Sequence, residues 1–267
     1  MNVLRICLFG GLRITYNGES TIKVTQTVQS LLAYMLIKRQ RCHPREVLAG
    51  LFWGDRPEDQ ARSCLSTALW RLRRSFEPAG IAHGDWLLTT PTGEIGFNPA
   101  SAHWLDVAVY EEQVSAVIAR PPQAINADAI TGLERAVGLY AGELLEGFDE
   151  PWAVGERERL AAMHINALTY LMRYHDHHGA YEESVAHGQQ ILQRDPLREE
   201  THRAVMLIHV KHGQRALALR QYEYCRQVLA DELGIAPMPE TQAVYQQIVT
   251  AGPHMYAPPV AGYHDLT

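Results

Sequence analysis

The chain has 267 residues, 46% hydrophobic and 20% charged, with a formal net charge of −6. That composition is typical of a soluble globular protein with room for two cored domains, and no apolar run is long enough to span a bilayer. The N-terminus "MNVLRICLFGGLRI" lacks the apolar core and cleavage site of a secretory signal, and Cys7, Cys42, Cys64 and Cys225 stand far apart without a CxxC, so reduced thiols in a cytoplasmic protein are expected.

The net charge hides an asymmetry. Residues 1–100 carry 12 Lys+Arg against 8 Asp+Glu, a net of +4, whereas residues 101–267 carry 12 against 22, a net of −10. A basic half joined to an acidic half hints at nucleic acid on one side, with uneven surface charge as the plain alternative.

In chain order, "VLRICLF" and "LRITY" alternate as short strands around a Gly10-Gly11 turn, and Asn17-Gly18 marks a hairpin leading to "TIKV". "TVQSLLAYMLIKRQ" has helical period, with Thr25 or Thr27 as N-cap and Leu31, Leu32, Met35 and Leu36 on one stripe. "CHPREVLAGLFWGD" reads as a short second helix with Pro44 in its first turn and Gly54 at its end. Residues 54–60, "GDRPEDQ", read as a polar connection.

The third helix, "RSCLSTALWRLRRSFE" over residues 62–77, sets Leu65, Leu69, Leu72 and Phe76 at i, i+4, i+7 and i+11 on one stripe. Ser63, Thr67, Trp70 and Arg74 fall opposite, Arg71 and Arg73 flank the stripe, and Arg62 lies near its edge. "DWLLTTPTGEIGFNP" then reads as strand, turn, strand. Two helices with a short connection followed by a hairpin match a winged helix-turn-helix.

From Leu105 nearly everything reads as helix, including a continuous "DAITGLERAVGLYAGELL". Gly179 and Gly213 are 34 residues apart, and at that offset Ser184 pairs with Ala218, Ile191 with Cys225 and His175 with His209. That is the period of the tetratricopeptide repeat; an ordinary helical bundle is the alternative. The expected fold class is mainly α with a small β part. A winged helix spans 1–100, an all-α tetratricopeptide-like domain spans 101–250, and a flexible tail spans 251–267.

Both halves together resemble the SARP family of bacterial transcriptional activators, an OmpR-type winged helix followed by a bacterial transcriptional activation domain. The resemblance runs from about residue 3 to residue 249. It rests on "LFGGLRI", "LLAYMLIKRQRCHPREVLAGLFWGD", "ARSCLSTALWRLRRSFE", "AVGLYAGELLEGF" and "RDPLREETHRAVMLIHVKHGQRALALRQYEYCRQVLADELGIAPMPE". It implies a DNA-binding activator, without enzyme activity or cofactor, that binds tandem direct repeats as a dimer on double-stranded DNA and recruits RNA polymerase. A helical-repeat scaffold or effector-binding regulator whose winged helix contacts protein is the rival reading.

On that reading Arg62, Arg71, Arg73 and Arg74 would neutralise phosphates and Ser63 would add a hydrogen bond, while Ser66, Thr67 and Trp70 would face base edges. Trp70 departs from the family, where this position carries Arg or a small polar residue, and it cannot make a bidentate guanine contact. The resemblance implies that Trp53 touches a phosphate through its indole N–H; a core tryptophan is the alternative. It also implies that the 54–60 connection meets polymerase through Asp55, Glu58 and Asp59.

"YHDHHG" at 174–179, with His202, His209 and His212, raises a metal reading. No cysteine or HExxH accompanies these histidines, so they are read as inner-helix positions of the repeats and no metal is expected. No GxxxxGK[ST] or GxSxG loop is present.

Overall fold

Alternation at the start of the chain produces β1 (Leu4–Cys7), β2 (Arg13–Tyr16) and β3 (Ser20–Thr21), paired antiparallel with Ile6 opposite Ile14 and Tyr16 opposite Ser20. Asn17 and Gly18 take positive φ at the turn between β2 and β3, as Asn-Gly does readily. The computed structural model describes residues 3–18, 20–21, 25–77, 80, 83–121 and 125–250. The expected tail at 251–267 and most of "TIKV" lie outside them.

Three helices follow: α1 (Gln26–Ile37), α2 (Arg45–Trp53) and α3 (Glu58–Phe76). A short α4 (His83–Trp86) then precedes the hairpin of β4 (Leu87–Thr89) and β5 (Ile95–Phe97). His43, between α1 and α2, exchanges backbone hydrogen bonds of 2.8 and 2.9 Å with Ile95. The hairpin is thereby tied to the helices. Phe76 of α3 stacks on Trp86 at 4.2 Å, closing the core under α3.

β6 (His103–Leu105) runs parallel to β1 at the edge of the N-terminal sheet, in the order β3-β2-β1-β6. It leads into α5 (Asp106–Ile118). The Asp106 carboxylate is buried and accepts from the backbone N–H groups of Leu8 (2.8 and 2.9 Å), Phe9 (3.0 Å) and Val107 (2.7 Å). One side chain thus satisfies the end of β1 and the start of α5.

The remaining helices are α6 (Ala127–Leu139), α7 (Pro151–His177), α8 (Tyr181–Arg194), α9 (Glu199–Lys211), α10 (Arg215–Leu233) and α11 (Pro239–Thr250). The helix expected through residue 145 stops at Leu139. Leu144 instead bridges Phe9, Gly10 donates to the Glu143 carbonyl at 2.8 Å, and Leu145 donates to the Leu8 carbonyl at 2.9 Å. A Cβ on Gly142 would stand 2.9 Å from the Gly10 Cα. Backbone pairing there takes the Leu145 N–H that a longer helix would use.

The chain forms two compact units, one of residues 1–116 with 135–163 and one of 117–134 with 164 onward. The expected boundary near residue 100 falls inside the first. There α1 is buried nearly all round, because Tyr34 meets Trp152 edge-on at 5.3 Å and Phe52 edge-on at 5.8 Å. Ion pairs rim this contact, Lys38 with Glu156 and Arg39 with Glu111 at 2.8 Å.

In the second unit the 34-residue period is physical. Gly179 and Gly213 both turn the chain at φ 73° and 71°. Ala180 and Gln214 donate to the carbonyls of His175 and His209, at 2.9 and 2.7 Å, in equivalent bonds. Ser184, Ala218, Ile191 and Cys225 are all fully buried where paired helices meet. The unit has a tetratricopeptide-like helical fold. The "REETHR" and "PMPE" segments are locked together. Glu199 accepts from the Met238 N–H at 2.9 Å and the Thr241 hydroxyl at 2.7 Å, and Arg203 donates to that hydroxyl at 2.9 Å.

Burial pushes the pKa of His43, His164, His187, His202 and His209 down, His164 to about 4. His202 shows the neutral form at work, donating from Nε2 to the Pro196 carbonyl at 2.9 Å while Nδ1 accepts from Gln221. As pH falls below the ordinary histidine value the unfolded chain takes up these protons first, so stability is lost from about pH 6.5 downward. The expected result is an unfolding free energy about 2–4 kcal/mol smaller at pH ~5 than at pH ~7.5, measured by denaturant titration. Asp106→Ala strands three buried N–H groups and is expected to cost about 2–4 kcal/mol in the same assay, and Asp106→Asn less.

Candidate nucleic-acid interface

The period of α3 sorts its side chains as expected. Leu65, Leu69, Leu72 and Phe76 are buried, while Arg62, Ser63, Ser66, Thr67, Trp70, Arg71 and Arg74 are exposed. Trp70 is 59% exposed. Burying such a ring against solvent-free surface is worth far more than leaving it wet, which makes this position the most distinctive of the face.

The charges are less free than the sequence suggests. Arg62 pairs with Glu58 at 2.5 Å and lies 4.0 Å from Glu46; Arg74 pairs with Glu77 at 2.9 Å and leans 5.8 Å from the Trp70 ring. Arg73 does not stand with the others. It is half-buried, its Nε shielded without a hydrogen-bond partner, because it falls beside Leu69 at the edge of the stripe. Arg71 has no acidic partner among the described residues. Ser66 and Thr67 donate to the carbonyls of Arg62 and Ser63, at 2.9 and 3.0 Å, leaving lone pairs outward. Exposed pairs of this kind are weak and exchange readily for another anion.

Two arginines missed by the sequence reading join the face. Arg45, at the start of α2, donates to the Ser66 hydroxyl at 3.0 Å. Arg56, in the turn before α3, reaches the Cys64 sulfur at 3.2 Å. Arg56 and Arg71 stand with Thr25, Thr27, Ser63 and Thr67 around a groove of about 280 Å³. Thr25, at the N-cap of α1, makes no side-chain capping bond, and the first turn of that helix holds no acidic residue. The groove has the donors and the size for a phosphate. Trp53 lines it too, although 8% exposure makes its ring chiefly core.

The turn between α2 and α3 covers Gly54–Pro57 only, since Glu58 and Asp59 already form the first turn of α3. Pro57 at the N-cap starts the helix earlier than the polar composition suggests. Asp55, Glu58 and Asp59 are all exposed, Glu58 engaged by Arg62, and Val47 and Leu51 add an exposed apolar edge on α2. The β4–β5 turn carries Thr90, Pro91 and Thr92 and no cation, held by Thr90 Oγ1 accepting from the Glu94 N–H at 3.0 Å.

Among the histidines singled out in the sequence, His202, His209 and His212 are each engaged by nearby partners. His209 faces the Tyr181 hydroxyl at 2.8 Å, His202 is spent on Pro196 and Gln221, and His212 packs on the Tyr181 ring. No helix among the described residues is long and apolar enough to cross a membrane.

Residues 105–249 match the family described as the bacterial transcriptional activator domain. The chain belongs to that family. It is 29% identical over 250 residues to the regulatory protein AfsR of Streptomyces coelicolor, covering 94% of this chain and 24% of AfsR, so it spans about a quarter of that relative. It is 22% identical over 264 residues to the regulatory protein DnrI of Streptomyces peucetius, covering 94% of this chain and 93% of DnrI. A structure of Mycobacterium tuberculosis EmbR in complex with a low-affinity phosphopeptide shares the fold. Its TM-score is 0.76 at 22% identity, over 93% of this chain and 65% of that one. The resemblance to SARP-type regulators stands as family membership.

If the two faces of α3 differ as described, Leu69→Ala and Trp70→Ala will separate in thermal denaturation. Leu69→Ala is expected to cost about 2–5 kcal/mol as a core truncation, and Trp70→Ala less than about 0.5 kcal/mol.

Proposed function

We propose that the chain is a cytoplasmic transcriptional activator whose residues 1–100 form a winged helix that binds double-stranded DNA through α3. The observation that carries this reading is the exposed α3 face, with Trp70 at its centre and the Arg56–Arg71 groove beside it. Arg45, Arg56, Arg62, Arg71 and Arg74 give up weak partners for phosphates, while Ser66, Thr67 and Trp70 meet base edges in the major groove. Trp70 packs on a thymine methyl or a sugar. Arg73, half-buried, supports the helix. The chemistry needs no catalysis and no cofactor.

Two molecules sit in the same orientation on a direct repeat, spaced by about one helical turn so that both α3 helices enter from one face of the DNA. Asp55 and Asp59, with the apolar edge of Val47 and Leu51, form the surface offered to RNA polymerase; Glu58 shares it while paired to Arg62. A second reading is favoured by one observation. A groove of about 490 Å³ in the second unit, lined in part by Asn166, Thr169, Arg173 and the half-exposed Leu207, suits a peptide or small effector.

Salt separates the readings. DNA affinity is expected to fall steeply with salt, and an Arg56→Ala/Arg71→Ala variant to bind more weakly with a log–log slope reduced by about two contacts. Five base pairs inserted between the half-sites, about half a turn, should abolish cooperative binding. Binding to DNA that ignores both salt and the double substitution contradicts the proposal.

A further inference from the structure

Helices α6, α7 and α8 bring Glu134, His175 and His187 to one point of the second unit, each with a ligand atom within 4.8 Å of the other two. His175 Nε2 already stands 3.1 Å from Glu134 Oε1, and the two imidazoles lie nearly parallel with centroids 5.4 Å apart. Neither Glu134 nor His187 was among the histidine-rich candidates of the sequence. We propose that these three side chains form a binding site for a divalent transition-metal ion, Zn²⁺ by preference.

The donor set fits. Two imidazole nitrogens and one carboxylate oxygen suit Zn²⁺ in a three-ligand site with a water in the fourth position. Tetrahedral ligand atoms at about 2.0–2.1 Å from zinc lie about 3.4 Å apart, so the longest present separation closes by at most about 1.4 Å. Glu134 is half-exposed, which leaves a path for the ion and room for the water.

A second observation points to a ligand. His187 Nδ1 is buried with no hydrogen-bond partner among the described residues. A buried nitrogen lone pair left empty is costly, and a metal fills it. Gln190 reaches the same ring, the kind of outer contact that fixes a ligating imidazole. Tyr174 meets His175 edge-on at 5.4 Å and holds that ring in place. A bound ion would cross-link α6 to the α7–α8 pair at the entrance to the repeats.

The test uses the full chain treated with chelator and titrated near neutral pH with Zn²⁺ by calorimetry. Co²⁺ serves as a spectroscopic probe of coordination. One equivalent is expected to bind, to raise the melting temperature, and to give the visible bands of tetrahedral Co²⁺. Glu134→Gln and His187→Gln are each expected to weaken binding at least about tenfold, since two ligands hold Zn²⁺ less tightly than three. Glu134→Gln lies at the surface and should keep the metal-free melting temperature, so its result stands even if His187→Gln unfolds. His177→Ala/His178→Ala, which removes the adjacent exposed histidines, is expected to bind as wild type. The proposal is overturned by the absence of stoichiometric binding, by unchanged affinity in Glu134→Gln, or by loss of binding in the His177/His178 variant.

Discussion

Helix α3 can bury only one side, and the first unit is organised by that constraint. Leu65, Leu69, Leu72 and Phe76 fill the core beside α1, α2 and Trp86. A helix whose apolar stripe is committed in this way has no freedom to rotate. Its hydroxyls, its tryptophan and its arginines are therefore presented outward by the same packing that stabilises the unit. The His43–Ile95 bridge and the Asp106 carboxylate act on this arrangement from either side, one fixing the hairpin, the other fixing the end of β1.

The second unit follows a different rule. Small or slim residues at equivalent repeat positions let paired helices approach, and the approach is close. A Cβ on Gly188 would stand 2.5 Å from Val205 Cγ2, and Ser184 sinks its hydroxyl into the Met172 carbonyl at 2.8 Å. The pattern that identifies the family is in good part this packing. Glu199 and Arg203 are conspicuous in the sequence because both bind the buried Thr241 hydroxyl, and His202 because it joins the Pro196 carbonyl to Gln221.

Much of this was legible beforehand. The α3 stripe, the 34-residue offset and the glycine turns all follow from local periodicity, which survives without knowledge of tertiary contacts. What was not legible depends on distant partners. β6 is three residues long and exists because β1, about a hundred residues earlier, offers an edge. α6 stops short because Gly10 and Gly142 approach. The pairing of Arg62 with Glu58 follows from α3 beginning at Glu58, and the half-burial of Arg73 from its place beside Leu69. Arg45 and Arg56 were overlooked because attention to one helix misses cations that neighbouring elements deliver to it. Glu134, His175 and His187 come from three helices and share no local spacing.

The central claim, that the outer face of α3 meets DNA, is tested most directly through Trp70. Trp53 and Trp86 are buried and Trp104 and Trp152 half-buried, whereas Trp70 stands 59% exposed, so collisional quenching of tryptophan fluorescence by acrylamide reports on it most strongly. Saturating the protein with promoter DNA is predicted to shield one quencher-accessible tryptophan, and the shielding to vanish in Trp70→Phe. DNA bound at saturation with Trp70 as open to the quencher as in the free protein would contradict the account.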